Sequence, residues 1–132
     1  MVSAIIVGNW KMNMTVAEAR DLVAAAVPGL ESVEGVAIAV CPPFVALEAV
    51  SGLLRGTSIG LGAQNMHYED KGAFTGEVSA SMLAGLCEFV ILGHSERRHI
   101  FGETDEAVGK KVEAAVSAGL SSGSTTWRRM PR

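Results

Sequence analysis

The sequence predicts an α/β domain with a parallel sheet and helices on its outside. Short apolar segments alternate with helical patterns in the order βαβαβαβα, which is typical of parallel strands joined by crossover helices. The strands are continuous apolar runs, and this indicates burial on both faces. Polar residues cluster where the strands end, the place where α/β folds bind ligands. Both a doubly wound sheet and a barrel fit this pattern.

The composition is that of one globular domain. The chain has 132 residues, of which 48% are hydrophobic, and a mean hydropathy of +0.30, so it has enough apolar material for a core. The net charge of -3 argues against nucleic acid or an anionic membrane as a partner. Cys41 and Cys87 lack metal or redox spacing and are expected to be buried, reduced thiols. Because the start resembles neither a signal peptide nor a membrane anchor, we expect a cytoplasmic protein.

The predicted elements follow one another with clear boundaries. The strands are "SAIIVGNW", "GVAIAVCPP", "SIGLGAQN" and "EFVILGH". Thr15 and Glu18 form a capping box for the first helix, which Pro28 and Gly29 are expected to end. The segments "FVALEAVSGLL", "ASMLAGL" and "SERRHIF" predict a second helix and two short helical pieces. A last helix is predicted to begin after Thr104 and to end at Gly119.

Two residues directly after the first strand are candidates for anion binding. Asn9 and Lys11 lie two positions apart in "GNWKMN", so in an extended chain they point to the same side. A lysine ammonium at the carboxyl end of a strand is a compact charge with three donors. The alternative is an ordinary surface lysine on a loop.

The segment "ILGHSERR" places a histidine between a strand and a helix start. The partial positive charge of a helix N-terminus favours a neutral imidazole at His94, which can then donate a hydrogen bond to an oxygen. Ser95 has the alternative role of an N-cap, and Glu96 that of an acid balancing the helix dipole. Glu96 would also pair with Lys11 if the two strand ends are adjacent.

The motifs together resemble one family. "GNWKMN", "CPPF", "GAQN", "GAFTGEVSASML" and "VILGHSERRHIFGETDE" occur in the order and spacing of triosephosphate isomerases. The resemblance covers Met1 to about Leu120. It implies the (β/α)8 TIM barrel, of which residues 1–120 would supply the first four β-α units, a half barrel of parallel strands with outer helices.

The resemblance implies an isomerase that interconverts dihydroxyacetone phosphate and D-glyceraldehyde 3-phosphate through an enediolate. Asn9 and Lys11 would contact the substrate, Lys11 would offset the phosphate and enediolate charges, and His94 would polarise the carbonyl. The family is itself the standard case of a neutral histidine acting with a carboxylate base under a closing loop. No cofactor and no metal are implied.

Further residues have supporting roles by the same resemblance. Glu96 would hold Lys11, with Ser95 beside it, and Gln64 and Asn65 would brace the lysine loop. The long polar segment "MHYEDKGAFTGEVS" is expected to be functional because such loops are uncommon in compact domains. In the family it is a dimer loop that inserts into the partner subunit of a homodimer, and its tip here comprises Phe74, Thr75, Gly76 and Glu77.

The family's catalytic base and phosphate loops belong to later β-α units, and no segment here resembles them. The last twelve residues, "SSGSTTWRRMPR", are interpreted as an unrelated, disordered tail. We hypothesise a frameshift, because codons CTG-GAG-GAG for Leu-Glu-Glu read TGG-AGG, Trp-Arg, when moved by one base. On this hypothesis "TTWRR" is the out-of-frame reading of a family segment "TLEE". The half barrel would expose its first and fourth strands as open edges. Because the catalytic base is not among these segments, the chain alone is expected to be inactive.

Two other interpretations stay open. The chain could be a non-catalytic fragment that pairs with intact isomerase subunits through the Thr75 loop. It could also be a different α/β phosphate-binding domain with the same β-α order, since fold alone does not determine function.

Overall fold

Strands and helices alternate through the computed structural model, which describes residues 4–122. The strands are β1 (Ala4–Asn9), β2 (Val36–Cys41), β3 (Gly60–Ala63), β4 (Phe89–Val90) and β5 (Ser121–Ser122). The helices are α1 (Val16–Glu31), α2 (Phe44–Leu54), α3 (Ala80–Leu83), α4 (Ser95–His99) and α5 (Asp105–Ser117). The predicted tail lies outside the described residues from position 123 onward, and the boundary at 120 with its frameshift origin stays a prediction.

All five strands form one sheet in the order β1-β2-β3-β4-β5, with every pair parallel. The register pairs Ala4 with Val36 and Asn9 with Cys41, so neighbouring strands end level with each other. The prediction of a parallel α/β sheet is therefore confirmed. Because parallel strands share a direction, the segments that follow β1, β3 and β4 all leave the same edge of the sheet.

The main core lies between the sheet and the helices. Apolar side chains of α1 and α2 pack on the helix-facing side of β2 and β3. Its buried members include Ala19, Val23, Ala46, Leu47, Val50, Leu61, Ala63, Leu83, Val90 and Ala115. The capping box at Thr15 and Glu18 is present, and Thr104 caps α5 by accepting a hydrogen bond from the Ala107 N–H, as the sequence predicts.

A smaller cluster lies on the other face of the sheet. Ala39, Cys41 and Phe89 are its buried members, and Val7 and Ile91 pack against them. Small residues on β2 and β3 leave room for the Phe89 ring. A Cβ atom added to Gly62 would lie 2.3 Å from that ring, so only glycine fits there.

Both cysteines are free and buried, as predicted. Burial raises the pKa of the Cys41 thiol to about 12, and it raises the pKa of the Cys87 thiol to about 12 as well. Neither thiol is a thiolate at neutral pH, so neither is a nucleophile there. Within residues 4–122, no helix has the length and apolar character needed to cross a membrane.

The first helix does not end where the sequence predicts. It continues through Pro28 to Glu31, although proline lacks the N–H that would bond to the carbonyl of Ala24. Both Ala24 and Pro28 are exposed, so water can bind that carbonyl and the helix tolerates the loss. The third and fourth strands are also shorter than predicted, at Gly60–Ala63 and Phe89–Val90, although the Ile91 N–H still donates to the Ala63 carbonyl.

The prediction that the fourth strand is an open edge is wrong. Ser121 and Ser122 form β5 and pair with Phe89 and Val90 of β4. Strand pairing uses backbone groups, so two serines form it without the apolar run that a sequence search requires. Among the described strands, β1 and β5 are the two outer ones.

We expect Gly62→Ala to destabilise the fold by about 1–3 kcal/mol, because the new methyl group overlaps the buried Phe89 ring. Gly109→Ala is the matched control. Gly109 lies inside α5 with no atom within 4 Å of an added Cβ, so alanine there should stabilise by about 0.5–1 kcal/mol. Urea unfolding of both variants measures this difference. Equal effects at the two positions would show that the Gly62–Phe89 contact is not tight.

Candidate active site

The backbone of Lys11 is held on both sides by side chains from the sheet edge. Lys11 has a φ of 55°, a left-handed conformation that is uncommon for a residue with a Cβ and costs of the order of 1–3 kcal/mol. Its N–H donates to Asn9 Oδ1 at 3.0 Å. Its carbonyl accepts from Gln64 Nε2 at 2.9 Å, and the same nitrogen donates to the Cys41 carbonyl at 2.8 Å. These bonds stabilise a conformation that the chain would not otherwise prefer.

The side chain of Lys11 meets a carboxylate from the segment after β4. Its Nζ lies 2.6 Å from Glu96 Oε1, and the two side chains are 54% and 41% exposed. The hydrogen bond from Lys11 lowers the pKa of the Glu96 carboxyl, and the charge of Lys11 acts in the same direction. The pairing considered from the sequence is thus present, and the lysine still reaches solvent.

His94, and not Ser95, is the N-cap of α4. Its Nδ1 accepts a hydrogen bond from the Glu96 N–H at 3.1 Å. Nδ1 also lies 3.7 Å from Glu96 Oε2, a contact that would require a proton on Nδ1. The shorter backbone bond excludes that proton, so neutral His94 carries its hydrogen on Nε2. Ser95 is the exposed first residue of α4.

The Asn65 side chain makes no hydrogen bond to the lysine loop among the described residues. Its Oδ1 accepts a hydrogen bond from Lys111 Nζ at 2.9 Å. Of the two residues expected to brace that loop, Gln64 therefore reaches Lys11 directly, whereas Asn65 binds α5.

Sequence reasoning missed a buried cluster of charges beneath the site. Lys111 Nζ lies 2.8 Å from Glu103 Oε2, with side chains that are 7% and 5% exposed. Arg97 Nε lies 3.3 Å from the same oxygen. Burial alone would raise the pKa of Glu103, but the hydrogen bonds and charges of Lys111 and Arg97 lower it overall. A signal was available, because Lys111 lies between Val108 and Ala115 on the apolar stripe of α5.

A second missed residue holds the loop that carries His94. Arg98 Nε donates to the carbonyl of Gly93 at 3.0 Å, and its guanidinium also binds Asp105. Gly93 has a φ of 67°, and an added Cβ would lie 3.0 Å from the guanidinium. Gly93 thus allows both the turn and the close approach of Arg98.

The polar segment after Asn65 is an ordered, exposed loop. Its two ends are joined by the bond from the His67 N–H to the Val78 carbonyl at 2.8 Å. Residues 71–77 are exposed, yet the Phe74 ring lies 4.5 Å from the His67 ring. The loop therefore presents its tip to solvent with internal support.

The chemistry of the cluster follows from its donors. With Asn9 Oδ1 accepting from the Lys11 N–H, the Asn9 amide nitrogen is a donor, as are the Lys11 ammonium and the His94 Nε2–H. Such a set suits an anionic ligand or a developing oxyanion. The carboxylate in the cluster, Glu96, is paired and has a lowered pKa, which makes it a weak base. Among residues 4–122, no group of three or more acidic, histidine or cysteine side chains is arranged to hold a metal ion.

A model of the triosephosphate isomerase family matches residues 4–122. The chain belongs to the triosephosphate isomerase family. A triosephosphate isomerase of Dehalococcoides mccartyi is 52% identical over 120 residues, which are 91% of this chain and 47% of that protein. One of Symbiobacterium thermophilum is 55% identical over 121 residues, with 91% and 47% covered.

The fold comparison agrees. The crystal structure of triosephosphate isomerase from Bartonella henselae superposes with a TM-score of 0.83 and 40% identity, over 89% of this chain and 49% of that one. The described sheet is thus a partial (β/α)8 barrel of the family, and the barrel alternative is the correct one. The chain spans about half the length of the curated relatives it matches.

Replacing Lys11 tests its pairing with Glu96. We expect Lys11→Met to raise the pKa of the Glu96 carboxyl towards its ordinary value of 4.5, since the hydrogen bond from Lys11 is the main cause of the lowering. A carbon-13 NMR titration of the Glu96 carboxyl measures the change. Lys71→Met, in the exposed loop, removes the same charge and should leave Glu96 unchanged. An unaltered titration in Lys11→Met would contradict the contact.

Proposed function

We propose that this chain carries the substrate-binding and electrophilic part of a triosephosphate isomerase site, for the interconversion of dihydroxyacetone phosphate and D-glyceraldehyde 3-phosphate. The observation that supports this most is the meeting of Lys11, Glu96 and His94 at one edge of the sheet. A lysine cation, the carboxylate that pairs with it and an imidazole converge there from two segments that are distant in the sequence.

Each donor has a role in moving a proton next to a carbonyl. His94 Nε2–H donates to the substrate carbonyl oxygen, which gains negative charge as the enediolate forms. A neutral imidazole has an acidity closer to that of the enediolate than imidazolium has, so it can donate without losing its proton early. Lys11 offsets the charges of the phosphate and the enediolate, and the Asn9 amide binds a substrate oxygen.

Glu96 is assigned to orientation and not to proton abstraction. Its lowered pKa and its bond to Lys11 make it a poor base, whereas it holds both the ammonium and, through its N–H, the ring of His94. The base is expected from a different segment, by resemblance a glutamate of the sixth β-α unit. Because a general base contributes about 10²–10⁴-fold to such a rate, residues 1–132 alone should bind substrate with no measurable turnover.

A titration of dihydroxyacetone phosphate into the nitrogen-15-labelled 132-residue chain tests this function. We expect concentration-dependent shifts at the Lys11 amide and the His94 ring, with no glyceraldehyde 3-phosphate in a coupled assay. Lys11→Met should abolish the shifts, since it removes the cation that binds the phosphate, and Lys71→Met should preserve them.

Two results would oppose the proposal. Shifts that spread evenly over the surface, or that survive in Lys11→Met, would remove the assigned site. Turnover at the rate of an intact isomerase would contradict the expectation that the chain lacks its base.

The biological setting follows the family. We place the activity in glycolysis and gluconeogenesis, in the cytoplasm, with a homodimer as the assembled form. The proposal needs no cofactor, no metal, no nucleic acid and no membrane.

A second candidate function is favoured by the exposed loop after Asn65. The tip residues Phe74, Thr75, Gly76 and Glu77 are exposed, with Phe74 at 42%, and Met12 beside the lysine segment is 94% exposed. Single exposed apolar side chains are normal on a protein surface, so the support for a contact is that Phe74 lies on the loop that by resemblance enters a partner subunit. In this alternative, the chain is a non-catalytic fragment that pairs with intact isomerase subunits through the Thr75 loop.

Thr75→Glu tests the pairing. A carboxylate buried unpaired in an interface costs well over about 1.4 kcal/mol, so association should weaken about tenfold or more. Analytical ultracentrifugation of the fluorescent chain with the intact isomerase of Symbiobacterium thermophilum measures it. Ala25→Glu, on the exposed side of α1, is the control of equal charge. Equal association of both variants, or none by the unaltered chain, would exclude this alternative.

A further inference from the structure

Lys111 is a lysine in the interior of the fold that the proposed reaction does not use. It lies in the middle of α5, and its side chain is 7% exposed. A buried ammonium is unfavourable unless it is paired and hydrogen-bonded. Its Nζ has two partners from different parts of the chain, Asn65 Oδ1 at 2.9 Å and Glu103 Oε2 at 2.8 Å.

The first partner leads to the lysine of the candidate site. Asn65 directly follows Gln64, and the Gln64 amide donates to the carbonyl of Lys11. Fixing the side chain of Asn65 therefore fixes the backbone of the residue that holds Lys11 in its left-handed conformation.

The second partner leads to the carboxylate of the candidate site. Glu103 Oε2 also accepts from Arg97 Nε at 3.3 Å, and Arg97 follows Glu96 in α4. The other carboxylate oxygen of Glu103 is buried without a hydrogen-bond partner among residues 4–122. With Lys111 removed, Arg97 would be the remaining ion-pair partner of Glu103 in that part of the chain.

These contacts close a ring through the site. One side runs from Lys11 through Gln64 and Asn65 to Lys111, and the other returns through Glu103 and Arg97 to Glu96. The pair that completes the ring, Lys11 with Glu96, is roughly half exposed, and exposed ion pairs contribute little to holding segments together. The buried members of the ring are the ones able to set the spacing.

We propose that Lys111 is a positioning residue, which sets the distance between Lys11 and the segment of His94 and Glu96 by joining Asn65 to Glu103. The catalytic importance of Lys111 rests on the proposed function. Its effect on the distance between Lys11 and Glu96 is a separate, structural prediction. Lys111 itself is too deeply buried to contact substrate. Arg98 supports the same segment from its other side, through Gly93 and Asp105, and does not contact Lys11 in the described structure.

The test compares Lys111→Met with Lys110→Met in the 132-residue chain. Lys110 is the adjacent, half-exposed lysine, which pairs with Glu106 and lies over the Tyr68 ring. The readout is the carbon-13 titration of Glu96, because its carboxyl reports contact with Lys11. We expect Lys111→Met to move the pKa of Glu96 upward towards its ordinary value, and Lys110→Met to leave it lowered. A purely structural lysine would change the unfolding midpoint without changing this titration.

Asn65→Leu is the second variant, since Lys111→Met leaves Glu103 less well paired and could unfold the chain. It removes one side of the ring and keeps the Lys111–Glu103 pair. Asn65→Leu should also raise the pKa of Glu96, and its amide spectrum should remain that of a folded chain. If Lys111→Met does not fold, Asn65→Leu alone decides the inference.

The outcomes separate this inference from the proposed function. If the pKa of Glu96 is lowered in the unaltered chain and stays lowered in the folded variants, the positioning role of Lys111 is overturned. The proposed function is then unaffected. An ordinary pKa of Glu96 in the unaltered chain means that Lys11 and Glu96 do not meet, which contradicts both.

Discussion

The parallel register of the strands is the constraint on which the rest of the structure depends. β1 and β2 pair level from Ala4 with Val36 to Asn9 with Cys41, and β3 and β4 continue in the same direction. The segments after β1, β3 and β4 therefore leave one edge of the sheet together. Without that alignment, Lys11 and Glu96 would not lie within ion-pair distance. The strained backbone of Lys11 would also lose its hydrogen bond from the Gln64 amide.

The sequence predicted the elements where one local pattern decides them. Apolar runs bounded by glycine and proline gave the first four strands, and side-chain caps at Thr15 and Thr104 gave two helix starts. The failures arise where the deciding interaction has no local signature. α1 passes through Pro28 at a place where Ala24 and Pro28 are both exposed, and β5 forms from two serines because pairing needs only the backbone.

The candidate site also contains residues that the sequence predicted and contacts that it could not predict. Position at strand ends and the family motifs singled out Asn9, Lys11, His94 and Glu96, and the structure brings the last three of these into one cluster. The network beneath them, with Lys111 and Glu103 at its centre, joins residues from separate units, so spacing along the chain could not predict it. Only the lysine on an apolar helix stripe indicated that a buried charge needed a partner. The N-cap alternative left open for Ser95 does not hold, because the His94 imidazole nitrogen caps α4 in place of the serine oxygen that statistics favour.

We propose that the fold supplies a neutral imidazole N–H donor at His94, whose ring lies against the carboxylate that pairs with Lys11. The bond from the Glu96 N–H to Nδ1 is what requires the proton to be on Nε2. A nitrogen-15 spectrum of the His94 ring at neutral pH measures this directly, because the protonated and unprotonated ring nitrogens have different shifts and couplings. We expect an unprotonated Nδ1 and a protonated Nε2. A proton on Nδ1, alone or in an imidazolium, would contradict it.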